Sequence, residues 1–192
     1  QRVRAAMSKG FKALENNQFA EARKAFEQAA KIDSNRDDVK AALKQLNNSE
    51  ASYHIERSMT AARKAVAEER WDAAKISFDA ALKHDQRLSP ALDGKKIAER
   101  RARLDKQLSN LLAKPERLSS NKVHAEASKV LQSALAISSK GNRLKQQVES
   151  LERELKLART PIEVQFQSDG QTDVTLYKVA ELGLFQQRTE NL

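Results

Sequence analysis

The side chains best suited to chemistry are thinly spread along this sequence. Its three histidines, His54, His84 and His124, have no second histidine at the spacing that places two metal ligands on one helix face. No glycine-rich loop ends in Lys-Ser or Lys-Thr, the arrangement that holds a phosphate group. The absence of cysteine excludes disulfide frameworks and thiolate metal sites. We therefore expect no catalytic centre, no cofactor and no metal ion.

The densest group of charges is the basic run at residues 95–106. Five of its side chains are the candidate partner-binding residues: Lys95, Lys96, Arg100, Arg101 and Arg103. Arg100 and Arg103 are three positions apart and share a helix face, whereas Arg101 points elsewhere. Such a run binds phosphates without reading a nucleic-acid sequence, although a charge run on a long helix is more often a solvated face. The alternatives are nucleic acid, another polyanion or an anionic membrane surface as partner.

The charge is unevenly distributed along the chain. The formal net charge is +9, yet the part after residue 160 contains two basic and five acidic residues. The excess of positive charge therefore belongs to the first 160 residues, where it suits either an anionic partner or solubility. Aromatic residues make up 5% of the chain, and no helix-turn-helix or zinc motif is present, so nucleic-acid binding is the weaker alternative.

The composition favours long solvated helices. Hydrophobic residues make up 40% and charged residues 32% of the chain, so any core must use mainly alanine and leucine, as closely packed helices do. No apolar run approaches the roughly 18 residues that span a bilayer. Because the chain begins at Gln1, we expect it to be part of a longer protein. The compartment stays open, with the bacterial periplasm or cell envelope favoured over the cytoplasm.

Internal repetition organises the first 140 residues or so. Residues 19–33 recur 52 positions later as residues 71–85, and a weaker third copy covers residues 124–138. The matching positions are Ala22, Phe26 and Ala29, then Ala74, Phe78 and Ala81, then Ala127, Leu131 and Ala134. A large residue with small residues three and four positions away lies on one helix face and lets a second helix approach closely. Each copy therefore predicts half of a helical hairpin.

The first copy resembles the tetratricopeptide motif. Gly10, Phe19, Ala22, Phe26 and Ala29 stand at the spacing of that motif's small and aromatic positions. The resemblance implies stacked helical hairpins that bind a protein or peptide partner. The sequence departs from the family in two ways. The proline after the second helix is replaced by Ser34 in the first copy and by Gln86 in the second, and the period is 52–53 residues rather than about 34.

The extra length falls in the helix before each motif, so we expect an elongated, mainly α array of alternating long and short helices. Residues 37–70 contain neither proline nor glycine and predict one long helix with a change of phase near Asn47. Ser89 and Pro90 begin a second long helix. The predicted repeat domain covers residues 1–160. Its units are about 5–34, 37–86 and 89–138, with a closing helix at 140–159.

Residues 144–158 carry a heptad seam. Its apolar positions follow a 4-3-4-3 spacing: Leu144, Val148, Leu151, Leu155 and Ala158. Such a seam needs a covering surface, which is either the preceding short helix at 122–137 or a second copy of the chain. Self-association through this seam is therefore one of the two alternatives.

Residues 161–192 change to the two-residue period of strands. Alternating apolar positions at Ile162, Val164 and Phe166 are followed by Asp169-Gly170, a hairpin signal, and two further runs predict two or three antiparallel strands. The stretch from Thr160 to Gly183 resembles the opening of the small PEGA-like β domains. That resemblance implies a truncated β domain whose open edge is suited to self-association or to pairing with a partner strand.

Taken together, these patterns predict a non-catalytic protein–protein interaction scaffold from a larger bacterial protein. The alternative is a basic helical module that binds nucleic acid or other polyanions. Trp71 is a candidate partner anchor, but it takes the place of Phe19 in the second copy, so we expect it to pack in a core.

Overall fold

The computed structural model describes residues 1–161, 163–167, 169, 171, 174–176, 180–183 and 187–191. Over these residues the chain is mainly α-helical, as predicted. The described α-helices are α1 (Arg2–Glu15), α2 (Phe19–Ile32), α3 (Asp37–Ala67), α4 (Trp71–Leu82), α5 (Ser89–Leu112), α6 (Asn121–Leu135) and α7 (Asn142–Leu157). A short 3-10 helix (Pro115–Ser119) precedes α6. The chain forms two compact units, Gln1–Asp105 and Lys106–Leu192, and the domain boundary placed after residue 160 stays a prediction.

The first hydrophobic core is formed by α1, α2 and the N-terminal half of α3. Its buried residues are Met7, Ala13, Leu14, Phe19, Ala22, Phe26, Ala29, Val39, Ala42 and Leu46. The helices of this α1–α2 hairpin approach most closely at Gly10, where a Cβ atom would overlap the ring of Phe26. Phe26 is fully buried, and the ring of Phe11 meets it edge-on with the centroids 5.1 Å apart. A phenylalanine pressed against a glycine thus fixes the hairpin.

The second core is formed by the C-terminal half of α3 with α4 and α5. It is built almost wholly from alanine: Ala62, Ala65, Ala74, Phe78, Ala81, Ala91 and Ala98. Here the helix that closely approaches Phe78 of α4 is the next one along the chain, α5. A Cβ atom on Gly94 of α5 would overlap the ring of Phe78. The equivalent phenylalanines of the two copies, Phe26 and Phe78, therefore pack against glycines of different helices, α1 and α5.

Helix α3 serves the two cores with opposite faces. Leu46 of the first core and Ala62 of the second are 16 residues apart, which corresponds to about 160° around the helix and about 24 Å along it. The change of phase predicted near Asn47 is thus confirmed. The length of α3 therefore places the second core further along the helix and on its opposite face.

The chain has a first hairpin formed by α1 and α2 and a second hairpin formed by α3 and α4. The turns that close these two hairpins are equivalent. Asn17 and Glu69 stand 52 positions apart, and both have positive φ angles, of 56° and 52°. In each turn the next residue donates its backbone N–H to the carbonyl oxygen five positions earlier, at 2.9 Å and 2.8 Å. This is the hydrogen bond of a Schellman helix end. Asparagine accepts the left-handed conformation readily and glutamate less so, which indicates that hairpin packing sets the turn.

In the second unit, α6 packs against α7. Ala127 and Ala134 are fully buried, as the third copy of the motif predicts, whereas Leu131 is only partly buried. The first four apolar positions of the heptad seam are buried within the chain: Leu144, Val148, Leu151 and Leu155. Of the two predicted arrangements, the structure has the one in which α7 packs on the preceding helix. This leaves little of the seam exposed for self-association.

The described residues after α7 form four short strands: β1 (Glu163–Gln167), β2 (Val174–Leu176), β3 (Ala180–Gly183) and β4 (Gln187–Asn191). β1 pairs with β4 and β2 pairs with β3, both antiparallel. β1 and β2 are therefore not neighbours, in contrast to the predicted hairpin. The connection between β2 and β3 is shorter than that between β1 and β2, so its closure costs less entropy. Gly170 and the start of the third predicted run at Leu184 lie outside the described residues.

Candidate functional site

Two of the five candidate basic residues form contacts with other residues of the first unit, Gln1–Asp105. The Nζ atom of Lys95 lies 2.6 Å from Oδ1 of Asp79 in α4, and this hydrogen bond raises the pKa of Lys95. The side chain of Arg101 is only 10% exposed, and its Nη2 atom lies 3.5 Å from Oε1 of Glu69. Both side chains fasten α5 to the hairpin of α3 and α4. Arg101 is largely buried by its contacts, whereas Lys95 keeps about a third of its side chain exposed and has its charge paired with Asp79.

Trp71 completes the contact made by Arg101. The guanidinium carbon lies 4.6 Å from the centroid of the Trp71 ring, within the range of a cation–π interaction. Burial lowers the pKa of Arg101, and the nearby charge of Glu69 opposes this effect. The indole also packs against the second core. The interpretation of Trp71 as a packing residue is confirmed.

Replacing Arg101 by methionine is expected to lower the free energy of unfolding by about 1–2 kcal/mol. Methionine fills part of the same space but loses the cation–π interaction with Trp71 and the ion pair with Glu69. Denaturation followed by tryptophan fluorescence measures the change, because Trp71 is the single tryptophan of the chain.

The matched control is Arg103→Met, on the exposed face of the same helix. It is expected to change the free energy of unfolding by less than about 0.5 kcal/mol. Equal effects from the two substitutions would show that the contact between Arg101 and Trp71 contributes nothing to stability.

The other three candidates form an exposed stripe on α5. Lys96, Arg100 and Arg103 are all exposed, and their spacing of four and three residues places them on one helix face. Ile97, beside the stripe, leaves 54% of its surface exposed. We call Lys96, Arg100 and Arg103 the α5 stripe. Of the five candidate residues, these three share one exposed helix face, and a partner-binding role for the five stays a prediction.

Two histidines that are distant in the sequence meet in the first unit. His54 of α3 and His84, just after α4, stack with their ring centroids 5.0 Å apart and their planes 11° apart. Phe19 and Tyr53 extend the group, with centroids 5.3 Å apart. Imidazole nitrogens bind metals through lone pairs in the ring plane, so face-to-face stacking is a packing contact. It joins the start of α2 to the second hairpin.

A groove runs between α1 and α2 on the first hairpin. It has a volume of about 510 Å³ and is lined by residues of the two helices: Arg2, Ala5, Ala6, Lys9, Gln28, Lys31 and Ile32. Three of these lining residues are cations and none is an acid. Ile32 leaves 53% of its surface exposed. This N-terminal groove therefore combines an apolar floor with a positively charged rim.

Sequence reasoning missed the N-terminal groove. The signals for it were nevertheless present, because Arg2 and Lys9 are seven positions apart and so share a helix face. Ile32 is a large apolar residue near the end of α2 that lies outside the repeated face of Ala22 and Phe26. The sequence could not tell which face of the hairpin another element covers, and that decides whether these side chains form a surface or a core.

Comparison with known proteins gives no family assignment. No family model, curated protein or solved structure matches this chain. Within the described residues, no group of three His, Cys, Asp or Glu side chains is placed to hold a metal ion. In that same part of the chain, no helix has the length and apolar character needed to cross a membrane. Function must therefore be inferred from the surfaces of the chain itself.

Proposed function

We propose that the chain is a non-catalytic protein–protein interaction scaffold within a larger bacterial protein. The observation that carries the proposal is the use of α3, a helix of 31 residues and so about 46 Å long. Two small cores pack on opposite faces of this helix, about 24 Å apart along it. Such an arrangement holds helical hairpins at a fixed spacing and leaves the other helix faces open to a partner.

Within this proposal, the helical part is a divergent tetratricopeptide-like array. The recurrence of buried Ala22, Phe26 and Ala29 as Ala74, Phe78 and Ala81 supports it, and so do the equivalent turns at Asn17 and Glu69. The tail is proposed to be the start of a PEGA-like domain, which rests on the sequence resemblance alone. Its open edge would offer a second contact for a partner or another copy.

Binding would depend on shape and charge. Each core uses one face of each helix that contributes to it, and alanine is its commonest residue, so the exposed faces are free to vary without loss of the fold. Specificity would then come from the side chains on those exposed faces, above all along α3 and α5. No proton transfer or covalent step is required of any residue.

The α5 stripe supports a second candidate function, the binding of nucleic acid or another polyanion. Lys96, Arg100 and Arg103 are exposed and share one face, and the first 160 residues carry the positive charge of the chain. Three surface cations on one helix contact phosphates without reading a base sequence. The loss of Lys95 and Arg101 to structural contacts reduces this patch.

Salt dependence separates the two functions. If the chain binds polyanions through these three cations, heparin or duplex DNA should bind at low salt and lose about one and a half powers of ten in affinity between 50 and 200 mM salt. The triple substitution of Lys96, Arg100 and Arg103 by glutamine should remove that binding. We expect instead only weak retention at low salt, and a tight complex that depends on the stripe would contradict the scaffold proposal.

A direct test uses the parent protein. Affinity purification of the intact parent should recover a defined protein partner in amounts that fall when exposed residues of α3 or α5 are substituted. Arg57 and Arg100 are suitable positions because both are exposed. Recovery that no helix substitution changes would place the binding surface in the tail and contradict the role given to the helices.

A further inference from the structure

The N-terminal groove has an equivalent in the second hairpin, where two stacked imidazoles stand at two of the corresponding positions. His54 and His84 stand 52 residues after Arg2 and Ile32. The stacked imidazoles therefore take the places that Arg2 and Ile32 have at the groove. The ring of Phe19, the first residue of α2, lies 6.2 Å from that of His54. A residue of a neighbouring helix thus lies against this face in the second hairpin.

In the first hairpin the corresponding surface stays open to solvent. Ile32 is 53% exposed, and Ala5 on the opposite wall is exposed as well. A large apolar side chain beside an alanine floor gains free energy when a partner covers it, because apolar area then leaves water. The internal repeat indicates what kind of element fits, since a helix contributes the covering residue in the equivalent place.

The rim of the groove sets the charge of its occupant. Arg2 and Lys9 stand on one wall, seven residues and so about 10 Å apart, and Lys31 stands on the other wall. The equivalents of these three cations in the second hairpin are His54, Ala61 and Lys83, and Arg57 stands in the place of Ala5. The three cations that line the groove of the first hairpin favour an anionic partner surface.

We propose that the N-terminal groove docks an acidic amphipathic helix of a partner protein. An apolar side chain of that helix would cover Ile32 and the alanine floor. Carboxylates two turns apart would pair with Arg2 and Lys9, and a further carboxylate would reach Lys31. The proposal rests on the scaffold function and adds the chemistry of the partner to it.

The probe is a fluorescently labelled synthetic helix of about 15 residues, long enough for the two turns of the groove and a turn beyond each end. One face carries leucine flanked by glutamate, and the other face carries alanine and glutamine. A matched peptide has glutamine at every glutamate position. Fluorescence anisotropy with the whole chain, at about 150 mM salt to screen distant charges, should show that the acidic peptide binds at least about tenfold more tightly than its matched peptide.

Two sets of protein variants locate the binding. Lys9→Glu combined with Lys31→Glu reverses the rim, and Ile32→Ala removes apolar surface; each should weaken binding about tenfold or more. The matched control is Arg4→Glu combined with Lys44→Glu. It makes the same change in net charge at exposed positions outside the groove, one on the opposite face of α1 from Arg2 and one on α3, so we expect less than about a threefold loss. Circular dichroism checks that every variant stays helical.

Three results would overturn the proposal. The first is that the wild-type chain does not bind the acidic peptide. The second is that the control pair of substitutions weakens binding as much as the groove pair, and the third is that the chain forms a dimer that Lys9→Glu with Lys31→Glu abolishes. The last result would mean that a second copy fills the groove. None of them removes the scaffold function, which is tested separately by partner recovery with substitutions in α3 and α5.

Discussion

Replacing Phe26 by alanine is expected to lower the free energy of unfolding by roughly 3–5 kcal/mol. The side chain is fully buried, its ring lies against Gly10, and its neighbours on α2 are Ala22 and Ala29. These residues have too few atoms to close the cavity that the ring would leave, so the cost of the cavity adds to that of the lost burial. Urea denaturation followed by circular dichroism measures the change.

Phe11 provides the matched control for this substitution. Its ring contacts that of Phe26 with the centroids 5.1 Å apart, but the residue is 36% exposed. Phe11→Ala should therefore cost only about 1 kcal/mol, because it removes one aromatic contact and opens no closed cavity. If Phe26→Ala cost no more than Phe11→Ala, the α1–α2 hairpin would not be packed as described.

Replacing Gly10 by alanine is expected to destabilise the chain by about 1–3 kcal/mol. In an exposed helix the same change would add roughly 0.5–1 kcal/mol of stability through the backbone. Here the new methyl group would overlap the ring of Phe26, and a fully buried ring has no space to retreat into. The same argument applies to Gly94, which faces Phe78. The measurement is again the midpoint and slope of urea denaturation.

A double substitution separates this overlap from any other effect of the methyl group. In a Phe26→Leu background, Gly10→Ala should cost less than about 1 kcal/mol, since the leucine side chain can move away and the two changes are coupled. Lys12→Ala, at an exposed position of α1, serves as the control and should lie within about 0.5 kcal/mol of the wild type. A Gly10→Ala protein that is more stable than the wild type would contradict the close approach of α1 and α2.

Much of the helical architecture could be predicted because it depends on the spacing of apolar residues within single helices. Ala22, Phe26 and Ala29 define a face within one helix, and their recurrence at Ala74 and Phe78 shows that the face is used again. The long α3 followed from an uninterrupted helical pattern, and the change of phase near Asn47 followed from where the apolar positions stop matching. None of these inferences requires knowledge of what packs on the helix.

The site was predicted less well because it depends on contacts between helices. Composition marked Lys95 and Arg101 as surface cations, but the approach of α4 gives them Asp79 and Trp71 as partners. Gly94 gave no local sign that it would meet a phenylalanine of the preceding hairpin. Such pairings depend on the tertiary arrangement.

Site-specific photo-crosslinking in cells tests the scaffold function most directly. A photoreactive residue in the parent protein would replace Gln28 at the groove, Arg57 on α3 or Arg100 on α5, with Gln165 of β1 as the tail position; all four are exposed. We expect at least one helix position to give a crosslinked partner of defined mass whose contact peptides are identified by mass spectrometry. Crosslinks to protein from Gln165 alone, or to nucleic acid alone from the helix positions, would contradict the scaffold function.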